Sequence, residues 1–308
     1  MKVSALQKNG IGILALDGAY SFAENLGLSL SEPTNVENLN ALITRFLILY
    51  TEHTTGVVLD PTYSLPFLSY KHNNSGLLLR LEQEHDQDPL SLPRFIHQWG
   101  IEEVRNNYGV AKLELLYHPA EEKAAEKKKL VAELFNFCQY EGIDFLLKLV
   151  IYHPPGIDLD TIKFQETQLE AISELQKSAS ILSLQYPQDP LATATITSAL
   201  DIPWIVHSDG VKYEEFKEFV RVSTENGASG FMIGQTLWEE VNSLRLEDQS
   251  PDFEEIEKFL KTTGKDRIIE LMRIVKESQG EELIFFVSLP TVLAFYLGII
   301  SLDIQILF

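Results

Sequence analysis

Eight short apolar runs, spaced along most of the chain, limit its fold more than any other feature. They are IGILALDG (11–18), GVVLDP (56–61), GLLLRLE (76–82), VAKLELLYH (110–118), DFLLKLVIYH (144–153), SILSLQYP (180–187), PWIVHSDG (203–210) and GFMIGQTLW (230–238). Each is rich in Val, Ile and Leu with little polar alternation, the pattern of parallel strands buried on both faces. Helix-patterned stretches lie between them, among them NVENLNALITRFLILYTEH, EEKAAEKKKLVAELFNFCQYEG and KYEEFKEFVRVSTENG. The last two close on Gly142 and Gly227, where a left-handed C-terminal cap is expected. Eight strand–helix units in succession predict an α/β chain folded as a (β/α)8 barrel. An open doubly wound sheet is the rival. It would want a glycine-rich phosphate turn after the first strand, and LDGAYSF holds one glycine.

The chain changes character near its end. DFEEIEKFLKTTGKDRIIELMRIVKES (252–278) reads as a closing helical hairpin, charged and amphipathic. LIFFVSLPTVLAFYLGIISL (283–302) follows without a charged residue, long enough to match a bilayer core. Lys265, Arg267, Arg273 and Lys276 lie upstream of it. This divides the chain into a barrel, 1–278, and an apolar tail, 279–308. The tail reads as a membrane anchor, a buried packing helix or an extension foreign to the barrel.

With 25 Lys and Arg against 45 Asp and Glu, the net charge is −20, which argues against nucleic acid as a partner. The one cysteine, Cys138, excludes an internal disulfide or a cysteine metal cage and suits a small core position in a reducing cytoplasm. MKVSALQKNGIGIL lacks the layout of a signal peptide. A cytoplasmic location is expected, with membrane association only through 283–302.

Barrel chemistry sits at the C-terminal ends of the strands. The polar residues there are Asp17, Asp60, Arg80, Glu82, Tyr117, His118, Lys148, Tyr152, His153, Ser183, Gln185, His207, Ser208, Asp209 and Gln235. Asp17 and Asp60 each end a strand, where an aspartate also serves as a helix cap. The turns SDGV (208–211) and MIGQ (232–235) suit a substrate phosphate met by backbone N–H groups. Lys148 stands inside FLLKLVIY. It either snorkels outward between helices or points into the barrel mouth, where burial favours the neutral amine that attacks a carbonyl. Lys112 and Glu114 share a face and are expected to pair. His118, His153 and His207 end three strands; with Asp17 or Asp60 they offer a zinc reading, against which no close histidine pair speaks for a metal.

LALDGA, VVLDPTYSLP, SGLLLRLE, LLYH, FLLKLVIYH, IPWIVHSDGV and NGASGFMIGQTLW together resemble the class I tagatose-bisphosphate aldolases, aldolase-type barrels that also include sulfofructose-phosphate aldolases. The resemblance runs in order from about residue 10 to about 276. It implies a phosphorylated ketose as substrate and a Schiff base formed by a lysine on the sixth strand, in a stretch like VLKVEVP. Here that stretch is ILSLQYP, which puts Ser183 in the lysine's place and Gln185 in the place of a glutamate. The family's fifth-strand glutamate becomes Lys148. Its fourth-strand lysine aligns with Leu113, unless a bulge brings Lys112 into register. Its phosphate-gripping arginine on the eighth strand becomes Gln235. Asp17, Ser208, Gly210 and Gly234 remain.

Two functions follow. In the first, a carbon–carbon lyase uses a relocated amine, Lys148, with Asp17, Tyr152 or His153 handling protons beside Ser183. Ser208, Asp209, Gly210, Gly234 and Gln235 then hold the phosphate. Strand six offers no acid to match the moved lysine, so Glu82 or Asp60 would have to serve. In the second, the chain has lost aldol chemistry and binds a sugar phosphate or a partner protein. No cofactor or metal is expected, and a homo-oligomer is.

Overall fold

A computed structural model describes residues 10–84, 88–153 and 160–280. Eight parallel strands close into a barrel in sequence order. They are β1 (Ile11–Leu16), β2 (Gly56–Leu59), β3 (Gly76–Arg80), β4 (Val110–Tyr117), β5 (Phe145–Ile151), β6 (Ile181–Leu184), β7 (Trp204–His207) and β8 (Gly230–Ile233). Closure is made where β8 pairs with β1, Ile13 lying opposite Met232.

Both strand faces are apolar for different reasons. Inward side chains Ile11, Ile13, Val58, Leu78, Val110, Leu146, Ile181, Ile205 and Met232 fill the lower barrel. Outward ones, such as Val57, Leu79, Leu113, Leu147, Leu182, Val206 and Phe231, belong to the larger core under the helices. A period of two therefore joins two apolar sets, and the strands read as unbroken hydrophobic runs.

The outer ring contains α1 (Ala19–Asn25), α2 (Pro33–Tyr50), α3 (Ile101–Asn106), α4 (Ala124–Tyr140), α5 (Thr161–Leu175), α6 (Pro190–Ala199) and α7 (Tyr213–Glu225). After β2 there is only a 3-10 turn, Leu65–Tyr70, opened by Pro66. The expected caps are present: φ is +70° at Gly142, after α4, and +97° at Gly227, after α7. Cys138 is fully buried on α4, and burial pushes its thiol up to about 12.

The expected hairpin at 252–278 is instead one helical run. α8 (Phe253–Phe259), a π-helical turn (Leu260–Gly264) and α9 (Lys265–Ser278) follow without a break, and Gly264 keeps helical angles of −63° and −42°. Gly264 serves a close approach. The buried Tyr50 hydroxyl donates to the Leu260 carbonyl at 3.1 Å, and a Cβ at Gly264 would lie 2.1 Å from the Tyr50 hydroxyl oxygen. The widened π turn and the missing side chain admit the ring together. Gly264→Ala is expected to cost about 1–3 kcal/mol by overpacking. Urea unfolding of this variant alone and combined with Tyr50→Phe checks it, since removing the hydroxyl should return most of the loss.

The apolar segment 283–302 lies outside the described residues. Among those described, no helix is long and apolar enough to cross a membrane.

Candidate active site

Beyond the apolar plug, the inward series of six strands turns from hydrocarbon to polar and charged groups. β1 continues Ile11, Ile13, Ala15 to Asp17; β3 runs Leu78, Arg80, Glu82; β4 runs Val110, Lys112, Glu114; β5 runs Leu146, Lys148; β6 runs Ile181, Ser183; β7 runs Ile205, His207. The alternation that buries the plug thus delivers these polar groups to the C-terminal mouth. Most of them line a cavity of about 360 Å³, in the range of a small-molecule site.

Lys112 is the hub of the layer. Its ammonium lies 2.9 Å from Asp17 Oδ2, 2.5 Å from Glu82 Oε1 and 3.8 Å from Glu114 Oε2, and its side chain is 3% exposed. Burial alone would neutralise it, but Asp17, Glu82 and Glu114 outweigh burial and hold its pKa above the ordinary value. The expected pairing with Glu114 is therefore the weakest of three contacts, and two acids from β1 and β3 do more. Burial pushes the Asp17 carboxyl up, yet Lys112 and Arg80 prevail and keep it below the usual range. In Glu82 burial wins over Lys112, and its pKa is raised.

Lys148 points into the mouth. Its Nζ is 2.8 Å from Glu114 Oε2, with the two side chains 22% and 30% exposed, and both line the cavity. β4 and β5 are in register here, Glu114 opposite Lys148, and β6 places Ser183 opposite Lys148 in turn. The acid that partners Lys148 is thus Glu114 on the preceding strand. Glu82 and Asp60 are engaged elsewhere, so the expectation that one of them would serve is corrected. Burial opposes the Glu114 charge, but Lys148 and Lys112 hold its pKa far below the carboxylate range.

Asp60 behaves as a cap. Its Oδ1 accepts from the Thr62 and Tyr63 N–H groups at 2.5 and 2.7 Å, and its Oδ2 lies 3.3 Å from Arg80. Arg80 also faces Glu84 at 3.6 Å, and Glu84 accepts from the Tyr20 and Ser21 N–H groups. The cavity lining holds five carboxylates, Asp17, Glu82, Glu84, Glu114 and Asp209, and three cations, each within ion-pair distance of an acid.

Ser208, Asp209, Gly210, Gly234 and Gln235 line the β7–β8 side of the same cavity. Gly210 takes φ +75° and Asp209 φ +42°, which turns the chain sharply over the mouth. Gln185 bridges this turn to β5: its Oε1 accepts from the Ile151 N–H at 2.7 Å and its Nε2 donates to Asp209 Oδ2 at 2.8 Å. Ser183 is fully buried beneath, its Oγ 3.2 Å from His207 Nδ1. Burial first, and the neighbouring Lys148 charge second, hold the His207 imidazole well below its ordinary pKa.

The remaining expected residues go elsewhere. Tyr152 donates its hydroxyl to Glu121 Oε2, with the Lys127 ammonium over its ring, and does not line the Lys148 cavity. His153 lies in an adjoining cavity with Gln185 and Asp209. The proton roles expected for Tyr152 and His153 beside Lys148 are not supported by this placement, because the chain leaves the barrel axis after Ile151. His118 Nδ1 accepts from the Ala120 N–H in its own turn. Among the described residues no group of three or more His, Cys, Asp or Glu is placed to hold a metal ion. Glu114, expected as a partner of Lys112, is the site residue not foreseen as the partner of Lys148. Its signal was its place two residues after Lys112, on the same face.

A closed parallel barrel with a cavity at the C-terminal mouth, lined by an acid-paired lysine, has the form of an aldolase-type barrel. The chain belongs to the DeoC/LacD family of aldolases, whose pattern matches residues 22–240. It is 24% identical over 304 residues to tagatose 1,6-diphosphate aldolase 2 of Enterococcus faecalis, covering 87% of this chain and 90% of that protein. A tagatose 1,6-diphosphate aldolase of Staphylococcus aureus is 25% identical over 282 residues, covering 80% and 85%. Among solved structures, an archaeal fructose-1,6-bisphosphate aldolase, with its catalytic lysine covalently bound to the carbinolamine intermediate, superposes with a TM-score of 0.57. It is 14% identical, with 89% of this chain and 98% of that one covered, and it shares the fold.

Proposed function

We propose that this chain is a carbon–carbon lyase that opens a phosphorylated ketose through an imine on Lys148. The observation that carries the reading is the Lys148–Glu114 pair: the cavity's most accessible amine stands 2.8 Å from a carboxylate held ionised. The ammonium gives its proton to water at the mouth, Glu114 keeps the nitrogen aimed into the cavity, and the freed amine adds to the ketone carbon. Loss of water leaves an iminium; the bond between its α- and β-carbons then breaks, its electrons forming the enamine double bond while the β-carbon leaves as an aldehyde. Asp17, ionised beside Lys112, accepts hydrogen bonds from the sugar hydroxyls. The turns at Ser208–Gly210 and Gly234–Gln235 receive one phosphate. Every cation of the cavity already faces a carboxylate, which favours a single phosphate over two.

Borohydride reduction in the presence of dihydroxyacetone phosphate tests this. The intact mass should rise by that of the reduced ligand, with the modification mapped to the peptide carrying Lys148. An adduct that persists in Lys148→Met defeats the reading. The buried Ser183 at the family's reactive position favours a second one, a sugar-phosphate binder without turnover. Thermal stabilisation by sugar phosphates with no adduct on the native chain would support it.

A further inference from the structure

Cleavage through an imine needs one more group. Some base must take the hydroxyl proton of the departing aldehyde, and some acid must return a proton to the carbon left on the lysine. Tyr152 and His153 do not line the cavity, Glu114 is committed to the amine and Asp17 to Lys112.

His207 lines the cavity that holds Lys148. It is 2% exposed, and its Nδ1 faces Ser183 Oγ at 3.2 Å. Its Nε2 is buried and has no hydrogen-bond partner among the described residues. A buried ring nitrogen without a partner is costly to keep, so its persistence beside a reactive amine marks a place made for a ligand. We propose that His207 is the proton carrier of this site, its Nε2 taking the hydroxyl proton as the carbon–carbon bond breaks and returning it to the enamine carbon. This rests on the imine at Lys148.

The surroundings suit both halves of the task. The charged groups that face the ring are Lys148 on β5 and Glu114 and Lys112 on β4, with the Ser183 hydroxyl on β6. At rest, burial and the Lys148 ammonium keep the imidazole neutral, which is the form able to accept a proton. Bond cleavage converts the iminium to a neutral enamine, so the positive charge leaves the Lys148 nitrogen in the step in which His207 gains one. The carrier becomes more basic as it is needed. When the enamine carbon takes the proton back, the iminium re-forms, the imidazole is neutral again and water hydrolyses the imine; no other reactant is consumed. The role requires the tautomer in which Nδ1–H donates to Ser183 Oγ, 3.2 Å away, and Nε2 keeps its lone pair. The serine at the sixth-strand reactive position thus orients its neighbour.

Proton transfer at carbon is read separately from imine formation. In D2O, the native chain should exchange a carbon-bound hydrogen of dihydroxyacetone phosphate, followed by NMR, and should form the borohydride adduct. His207→Asn keeps a side-chain amide near Ser183 and removes the proton-accepting ring nitrogen. Its adduct yield should stay within about twofold of the native chain while exchange falls about 100-fold or more, the lower range for loss of a general base. Exchange within about threefold of native overturns the proposal, and loss of adduct and exchange together assigns His207 a structural role and overturns it too. If His207→Asn does not fold, His207→Gln decides by the same readings. A native chain that forms no adduct refutes the Lys148 imine instead, so the two failures are distinguishable.

Discussion

Lys112→Met is expected to lower the unfolding free energy by about 3–5 kcal/mol at neutral pH, the usual result of removing one partner from a buried charge cluster. The methionine fills the space, so the loss is electrostatic. Asp17, Glu82 and Glu114 come from three strands and meet around one ammonium that is 3% exposed. Without it they are left facing one another in a site with little water to screen them. The pH dependence has a definite sign. Lys112 lowers the pKa of both Asp17 and Glu82, so in the variant both shift upward from their native values. A carboxylate whose folded pKa lies above its unfolded value contributes stability below the unfolded pKa and loses it as pH rises through the folded one. The variant therefore recovers as pH falls, Glu82 first because its pKa is already raised. The native chain runs the other way at Asp17 and Glu114, whose depressed values give stability above the ordinary carboxylate range that is lost on acidification. Denaturant unfolding at pH 7.5 and 5 should show the gap between native and variant shrinking in acid. A gap below about 1 kcal/mol at pH 7.5, or one indifferent to pH, would refute a load shared by these four residues.

What was legible in the sequence follows from what is local. Eight apolar runs, the caps at Gly142 and Gly227, and the shared face of Lys112 and Glu114 are properties of single segments, and each is present in the folded chain. Partners across strands are set by register and closure, which no single segment encodes. Asp17 and Glu82 reach Lys112 only because β1 and β3 curve around to one mouth, and Glu114 reaches Lys148 only because β4 and β5 align those two positions. That is why the sequence, with no acid on strand six, points to Glu82 or Asp60 for the acid beside Lys148, and not to Glu114. The continuous helix at 252–278, where a hairpin is expected, has a similar origin: Gly264 can lack a side chain because Tyr50, more than two hundred residues away, packs against it. Tyr152 and His153 belonged to the fifth apolar run by composition, but β5 ends at Ile151 and they turn with the loop.

Lys148→Met, one strand from Lys112, is expected to have the opposite profile. Its pair with Glu114 is about a quarter exposed, so the loss of stability should stay within about 1 kcal/mol. Cleavage of a ketose phosphate should fall by roughly 10⁴- to 10⁶-fold, the range seen when a catalytic unit loses its nucleophile or that nucleophile's close support. Lys148→Arg should be as inactive, because a guanidinium keeps the charge and the contact to Glu114 but offers no neutral amine. Glu114→Gln should fall between, with turnover reduced about 10²-fold as the amine loses the charge that positions it. The double variant Lys148→Met with Glu114→Gln should be no slower than Lys148→Met alone, since both act on one step. Coupled assays of triose release with native-like melting temperatures would establish this order. If Lys148→Met retained more than about a tenth of native turnover while Lys112→Met lost it all in a folded state, the reactive amine would be Lys112, and the acids around it would be its activating shell rather than a structural knot.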